Sequence, residues 1–257
     1  MSEIINDIFT PMNHREIEYN AKKLLGCNIP ITFSSYQKSD MYLVEDESKP
    51  SIAKLLDWLD TTGSRLFDDD LVMDYGTDCL RLYLLFEKTP KENDPYYDSW
   101  QECALEGIYK FLGRYRRMVL TAYVWNMQGK YADMVSKNDI ENMQKTLVAA
   151  RDKILVCANR ANDMPNRHNI VAALMEAQKY MQKALKTGEI VNQIHKQHIE
   201  MAVPHSEHLG NNMMVNSTLN SNSNISEEVK SILIAFIVLM EPYAPYISKE
   251  LLTIVQK

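Results

Sequence analysis

Residues 75–119 read YGTDCLRLYLLFEKTPKENDPYYDSWQECALEGIYKFLGRYRRMV, and they predict two amphipathic helices joined by a polar loop that contains proline. In the second helix, apolar residues recur at alternating steps of three and four, which is the spacing of one buried face of an α-helix. These residues are Leu105, Ile108, Leu112, Tyr115, Val119 and Ala122. The stretch therefore predicts a long helix packed on one side against the rest of the protein.

The same helix also carries a basic face. Lys110, Arg114 and Arg117 follow one another at i, i+4 and i+7, and Arg116 lies beside them. The ordinary interpretation is a solvated face on a packed helix. The alternative is a surface that contacts the phosphate groups of a nucleic acid.

The charge distribution along the chain helps to decide between a solvated face and a face that binds nucleic acid. The net charge of the chain is −6. Residues 1–109 contain 10 Lys and Arg against 21 Asp and Glu, residues 110–187 contain 14 against 6, and residues 188–257 contain 4 against 7. A basic middle within an acidic chain is expected when one segment faces phosphates, although solubility alone also produces such blocks.

Three blocks of the chain resemble leucyl-tRNA synthetases, which are class I aminoacyl-tRNA synthetases. YGTDCLRLY (75–83), Trp100 and EGIYKFLGRYRRMV (106–119) are similar to the family's YGADTLRLY, a tryptophan, and EGxxRFLxRVWRLV. NIVAALMEA (169–177) is similar to NTAIxALMEF, and LMEPYAPYISKELL (239–252) is similar to LLAPFAPHIAEELW. The blocks occur in the family's order, and together they cover residues ~65–257.

The resemblance implies a mainly α-helical fold, the anticodon-binding helical bundle of class I synthetases, with tRNA as the partner. The helical periodicities independently agree with a bundle. Arg160 and Arg167 lie around a helix break at Pro165, where a loop can also meet phosphates. The residues expected to contact RNA are Lys110, Arg114, Arg116, Arg117, Arg160 and Arg167.

The family's two catalytic motifs are not found. HIGH does not occur in the chain, and residues 58–63, WLDTTG, occupy the place of KMSKS. An aspartate there repels ATP phosphates, whereas the family's lysines stabilise the charge that develops during catalysis. The sequence therefore predicts a truncated paralogue, covering the region after KMSKS and the anticodon-binding domain, that does not aminoacylate tRNA by itself and has no catalytic residues and no cofactor.

Two other functions stay open. The chain is one subunit of a split synthetase if a partner chain supplies the ATP site. It is a protein-interaction scaffold if it has kept the bundle and lost RNA binding. An open or covered face at Arg114 and Arg117 distinguishes the scaffold from the RNA-binding module.

The first 70 residues have a different pattern from the rest. Runs 31–36 and 41–45 are rich in β-branched and aromatic residues, which predicts two strands within a small α/β segment over residues 1–70. A helical domain over 71–257 follows, and its Asn/Ser-rich stretch 210–224 is predicted to be a mobile loop. Within this domain, Gly188 is predicted to end one helix, with the next beginning at about Glu189.

The remaining features concern compartment and metal. Four widely spaced cysteines without a CxxC pair, no secretory signal and no membrane-length apolar run predict a cytoplasmic protein that does not enter membranes. His195, His198, His205 and His208 are spaced so that each pair can share a helix face and ligate Zn²⁺ or Ni²⁺. A solvated connection containing Pro204 is the favoured interpretation, so these histidines are a weak metal candidate.

Overall fold

The structure is a computed structural model that describes residues 2–25, 55–56, 58–59, 69–87, 102–158, 160, 164–202 and 223–257. The predicted strands at 31–36 and 41–45 lie outside the described residues. So do residues 210–222 of the predicted Asn/Ser-rich loop, whereas residues 223 and 224 are the first two of a helix. The division into domains at residue 70 stays a prediction.

Besides the helical residues 55–56 and 58–59, the described residues contain ten α-helices. They are α1 (Ser2–Phe9), α2 (His14–Leu25), α3 (Asp69–Tyr75), α4 (Thr77–Phe86), α5 (Glu102–Met127), α6 (Lys137–Ala158), α7 (Met164–Ala184), α8 (Thr187–Ala202), α9 (Ser223–Met240) and α10 (Pro245–Val255). A short 3-10 helix, Lys130–Asp133, follows α5. The prediction of a mainly α-helical fold is confirmed.

Helix α5 is the central element, and it packs against α1, α4, α7, α8, α9 and α10. Each of the six apolar residues that predicted its buried face is at most 1% exposed. Burying a large apolar side chain contributes about 1.5–3 kcal/mol, so this face stabilises the fold strongly. Phe111, Leu120 and Val124 are buried as well, because helices cover α5 on more than one side.

The first and third of the blocks that resemble leucyl-tRNA synthetases meet at the N-terminus of α10, where Asp78 lies close to the first residues after Pro245. The Asp78 carboxyl group accepts hydrogen bonds from the backbone N–H groups of Tyr246 (3.2 Å) and Ile247 (2.8 Å). Ala244, which precedes α10, provides no side-chain cap, so Asp78 supplies the cap from α4. Arg81 of the same helix donates to the Pro242 carbonyl at 3.1 Å. Burial raises the pKa of Asp78 to about 7, against the opposing effect of the two backbone hydrogen bonds.

The N-terminal helices pack directly on the bundle. Helix α1 contacts α5, and α2 contacts α3 and α10. Glu18 of α2 accepts a hydrogen bond of 2.6 Å from the backbone N–H of Thr77, at the start of α4. Gly76 just before it has φ +78°, and a Cβ there would lie 2.7 Å from Nδ1 of His14. The described residues of the first 25 therefore belong to the same core as the helices that follow.

The turn between α7 and α8 differs from its prediction. Gly188 lies within the first turn of α8, and the left-handed residue that separates the two helices is Lys186, with φ +50°. The Tyr131 hydroxyl donates to the Leu185 carbonyl at 2.9 Å. This buried contact fixes the turn against the 3-10 helix, so the position of the N-terminus of α8 relative to α5 is fixed as well. None of the described helices is both long and apolar enough to cross a membrane.

Candidate nucleic-acid interface

The basic face of α5 is exposed where Lys110, Arg114 and Arg117 lie. Lys110 makes an ion pair of 2.8 Å with Glu106, one turn earlier, and both side chains are more than half exposed. Such exposed pairs contribute little and exchange readily with other partners. Among the described residues, no carboxylate or hydrogen-bond acceptor contacts the guanidinium of Arg114 or Arg117. These two arginines are therefore open to solvent and to ligands.

Arg116 points to a different part of the molecule. Its guanidinium donates twice to the Glu250 carboxylate of α10, at 3.1 and 2.9 Å, and once to the Asp7 carbonyl of α1, at 3.1 Å. Its side chain is only 12% exposed. A bidentate pair of this kind is strong and directional. Arg116 thus connects α5 to α1 and α10, and its sequence neighbours Arg114 and Arg117 do not share its surroundings.

Arg114 and Arg117 line a pocket of about 200 Å³ between α5 and α8. No acidic side chain lines it. The sequence alone does not indicate the other residues that line this pocket. They are common polar residues, and only the packing of α7 and α8 brings them close to α5. The polar and glycine positions of its lining are Arg114, Arg117, Thr121, Gln182, Thr187, Gly188 and Asn192.

Arg160 and Arg167 form a separate group. Arg160 is exposed just beyond the end of α6, and the guanidinium of Arg167, in the first turns of α7, lies 4.4 Å from the ring centre of Trp58. Arg167 and the pocket residue Gln182 are fifteen residues apart on α7, which is roughly 22 Å. The structure therefore divides the six predicted basic residues among three places: the α5 face, the α1–α10 contact and the far end of α7.

The aromatic residues near the basic segment serve packing. Tyr115 is fully buried and makes a T-shaped contact with Phe236 at 5.4 Å. Tyr123 and Trp125 are also buried. The rings of Tyr115, Tyr123 and Trp125 are therefore not available for stacking on bases.

The histidine cluster lies mostly outside the described side chains. His195 is exposed on α8, with its ring centre 5.7 Å from that of Phe9. The side chain of His198 and residues His205 and His208 are not described. Within the described part of the chain, no group of three metal-ligating residues comes together, so the weak metal candidate stays a prediction.

The described residues thus define a mainly α-helical bundle built around one central helix. In sequence, the chain is similar to leucine–tRNA ligases, which confirms the predicted resemblance to leucyl-tRNA synthetases. It is 31% identical to that of Fervidobacterium nodosum over 80 residues, which are 31% of this chain and 8% of the ligase. It is 28% identical to that of Campylobacter curvus over 119 residues, which are 45% of this chain and 13% of the ligase.

A third relative is the leucine–tRNA ligase of Alkalilimnicola ehrlichii, 25% identical over 147 residues, which are 55% of this chain and 16% of the ligase. The chain therefore spans only a small part of the length of the curated relatives it matches. No protein-family model matches the chain. No solved structure matches it either.

Proposed function

We propose that this chain is a tRNA-binding module of the cytoplasm that contacts RNA phosphates through Lys110, Arg114 and Arg117 of α5. The observation that carries the proposal is the different placement of neighbouring arginines. Arg116 is held by Glu250 at 2.9 Å, whereas Arg114 and Arg117 line an open pocket without acidic residues. The similarity to enzymes named for joining leucine to tRNA supports tRNA as the nucleic acid.

The exposure of this face favours RNA binding over a scaffold that has lost it. Unpaired arginines on an open surface attract phosphates, and the resulting affinity depends on salt. Arg160 is a second, separate contact in this proposal, because it too is exposed. Arg116 is left out, since its charge is already neutralised inside the protein. A reducing compartment is supported by Cys79 and Cys157, which are free and buried thiols.

We also propose that the chain does not aminoacylate tRNA by itself. The support comes from the two described residues at the place of KMSKS. Leu59 is 0% exposed in the core, and Trp58 packs beneath the guanidinium of Arg167. A catalytic loop of this kind must move and must carry cations that face the phosphates of ATP. Leu59 is held in the core, and the sequence has Asp60, not a lysine, directly after it.

The experiment is a titration of the protein into labelled total tRNA, followed by fluorescence anisotropy at several salt concentrations. We expect the affinity to fall steeply with salt, because each neutralised phosphate contributes roughly −0.7 to −0.9 to the slope of log K against log salt. Arg114→Glu with Arg117→Glu should weaken binding by at least about tenfold and reduce that slope by about 1.5.

The matched control is Lys137→Glu with Lys145→Glu. Both lysines are exposed on α6 and neither lines the pocket, so this variant changes the net charge equally without altering the lining. If the control loses as much affinity as the arginine variant, binding follows net charge and the proposed site is wrong. If the folded protein binds no tRNA and co-purifies with a chain that carries HIGH, the split synthetase replaces the stand-alone module.

A further inference from the structure

The pocket between α5 and α8 contains a buried group with an unused hydrogen-bonding capacity. Thr121 lines the pocket and is 0% exposed. Its Oγ1 has no hydrogen-bond partner within the described part of the chain. A buried hydroxyl without a partner is unfavourable and uncommon in folded proteins. It lies two turns along α5 from Arg114 and one turn from Arg117, on the same face of the helix.

The N-terminus of α8 faces the same pocket. Thr187 and Gly188, its first two residues, belong to the lining. The N–H groups of Glu189 and Ile190 donate to the Lys186 carbonyl at 3.0 and 3.1 Å. Among the described residues, no acceptor contacts the N–H groups of Thr187 and Gly188. These two donors and the positive end of the helix dipole favour an anion.

A third donor comes from α7. The Gln182 Oε1 accepts a hydrogen bond of 2.9 Å from Nε2 of Gln178. The Nε2 of Gln182 is therefore a donor to other groups. That nitrogen lies 3.9 Å from the place where a Cβ of Gly188 would be, which puts it at the mouth of the pocket. Glu189 is in the first turn of α8 but does not line the pocket. The polar groups there are therefore predominantly donors and cations.

We infer that this pocket binds a single phosphate group. Arg114 and Arg117 neutralise its charge, while Thr121 and the first N–H groups of α8 donate hydrogen bonds to its oxygens. The pocket, at about 200 Å³, is large enough for a phosphate with part of the attached sugar, because a water molecule takes about 30 Å³. The inference rests on the proposed RNA binding in one respect only. That proposal identifies the bound phosphate as a phosphodiester of an RNA backbone. Free phosphate has the same chemistry.

The first experiment uses inorganic phosphate as the probe and the backbone amide NMR signals of the whole chain as the readout. We expect saturable shifts of the Thr187 and Gly188 signals, and no saturable shift at Tyr246 and Ile247, whose N–H groups are already occupied by Asp78. Thr121→Val removes the hydroxyl and keeps the shape, and it should weaken phosphate binding by about fivefold or more. Arg117→Gln is the second variant, and thermal melts verify that both variants are folded.

The second experiment separates the sources by competition. If phosphate displaces labelled tRNA, and Thr121→Val weakens both ligands by a similar factor, the pocket holds a backbone phosphate. If phosphate shifts Thr187 and Gly188 while the protein binds no tRNA, the pocket takes free phosphate, and the proposed RNA binding is wrong while the inference stands. If tRNA binds, phosphate shifts nothing and Thr121→Val binds tRNA like the unchanged protein, the inference is wrong while the proposed function stands.

Discussion

The N-terminus of α10 receives the carboxyl group of Asp78 from inside the protein, at 2.8 and 3.2 Å from two backbone nitrogens. Among the residues described by the structure, no such group reaches the N-terminus of α8, and Arg114 and Arg117 line the same pocket. Both ends carry the partial positive charge of a helix terminus, roughly half an elementary charge. At α10 that charge is used to hold the fold together. At α8 two further cations lie in the same pocket, which is why we infer an external anion there.

The difference separates two kinds of residue within the blocks that resemble leucyl-tRNA synthetases: those with internal contacts and those that are exposed. Asp78 and Arg81, within YGTDCLRLY, join α4 to the turn and helix that contain PYAPYIS. Their role in this chain is structural. The exposed arginines Arg114 and Arg117 lie later in the same block, in EGIYKFLGRYRRMV, on the outer face of α5. A shared motif thus contains both fold-stabilising residues and ligand-binding candidates.

The largest expected effect is the loss of the internal cap. Asp78→Ala leaves two backbone N–H groups without an acceptor inside the protein, so the free energy of unfolding should fall by about 3–5 kcal/mol. Urea denaturation measures this. Ser136→Ala is the matched comparison, because Ser136 and Asp139 cap α6 reciprocally at the surface, and its loss should cost only about 1 kcal/mol. Equal losses would show that Asp78 is no more than an ordinary cap.

A pair of glycine variants extends the comparison. Gly76 precedes α4 with φ +78° and is in close approach to His14, so Gly76→Ala should lower the free energy of unfolding by about 2–3 kcal/mol. Gly188 lies in α8, and the nearest atom to its Cβ position is at 3.9 Å. Gly188→Ala should therefore raise stability by up to about 1 kcal/mol. Thermal or urea unfolding of both variants checks the signs, and destabilisation by Gly188→Ala would contradict the geometry at α8.

The pH dependence of stability should reveal the buried cap at α10. Burial raises the pKa of Asp78 to about 7 in the folded protein, from 3.8. The folded state therefore binds the proton more tightly than the unfolded state, and stability falls as pH rises from about 4 through 7. Between pH 5 and 8, Asp78 should account for a loss of roughly 2.5 kcal/mol, and Asp78→Asn should lack this part. Denaturation of both proteins at each pH gives the difference, and parallel pH profiles would contradict the raised pKa.

The smallest expected effect has the opposite sign from most core substitutions. Thr121→Val replaces a buried hydroxyl without a partner by a methyl group of similar shape. The free energy of unfolding should stay unchanged or rise by about 1 kcal/mol. The measurement is urea denaturation without phosphate. A loss of 1 kcal/mol or more would show that the hydroxyl has a partner in the folded protein, and the pocket would then lack its unused donor.

Much of the fold could be predicted from local patterns. The buried face of α5 follows from spacing alone, because a long amphipathic helix has one strong periodicity. The capping box at Ser136 follows from local sequence in the same way. The α7–α8 turn was placed at Gly188, since glycine is the usual left-handed residue, yet Lys186 takes that conformation. There the buried contact of Tyr131 with Leu185 fixes the turn, and no local pattern contains that contact.

The candidate site could be predicted only in part. The sequence indicated a basic face on α5, but it grouped Arg116 with Arg114 and Arg117. The partner of Arg116 is Glu250, which is 134 residues away, so sequence spacing could not separate an internal ion pair from an external contact. Thr121 was not identified at all. Its significance depends on the absence of a hydrogen-bond partner, which is a property of packing rather than of residue type.

The position of α10 at the end of the described chain also has a consequence for biosynthesis. Asp78 is bonded to a residue 169 positions later, and Arg116 to one 134 positions later. Neither contact can form on the ribosome until residues 245–255 have left the exit tunnel. Until then these two contacts do not hold α4 and α5 against α10. During that interval their apolar faces are exposed, and chaperones that bind such faces are expected to act on this protein during its synthesis.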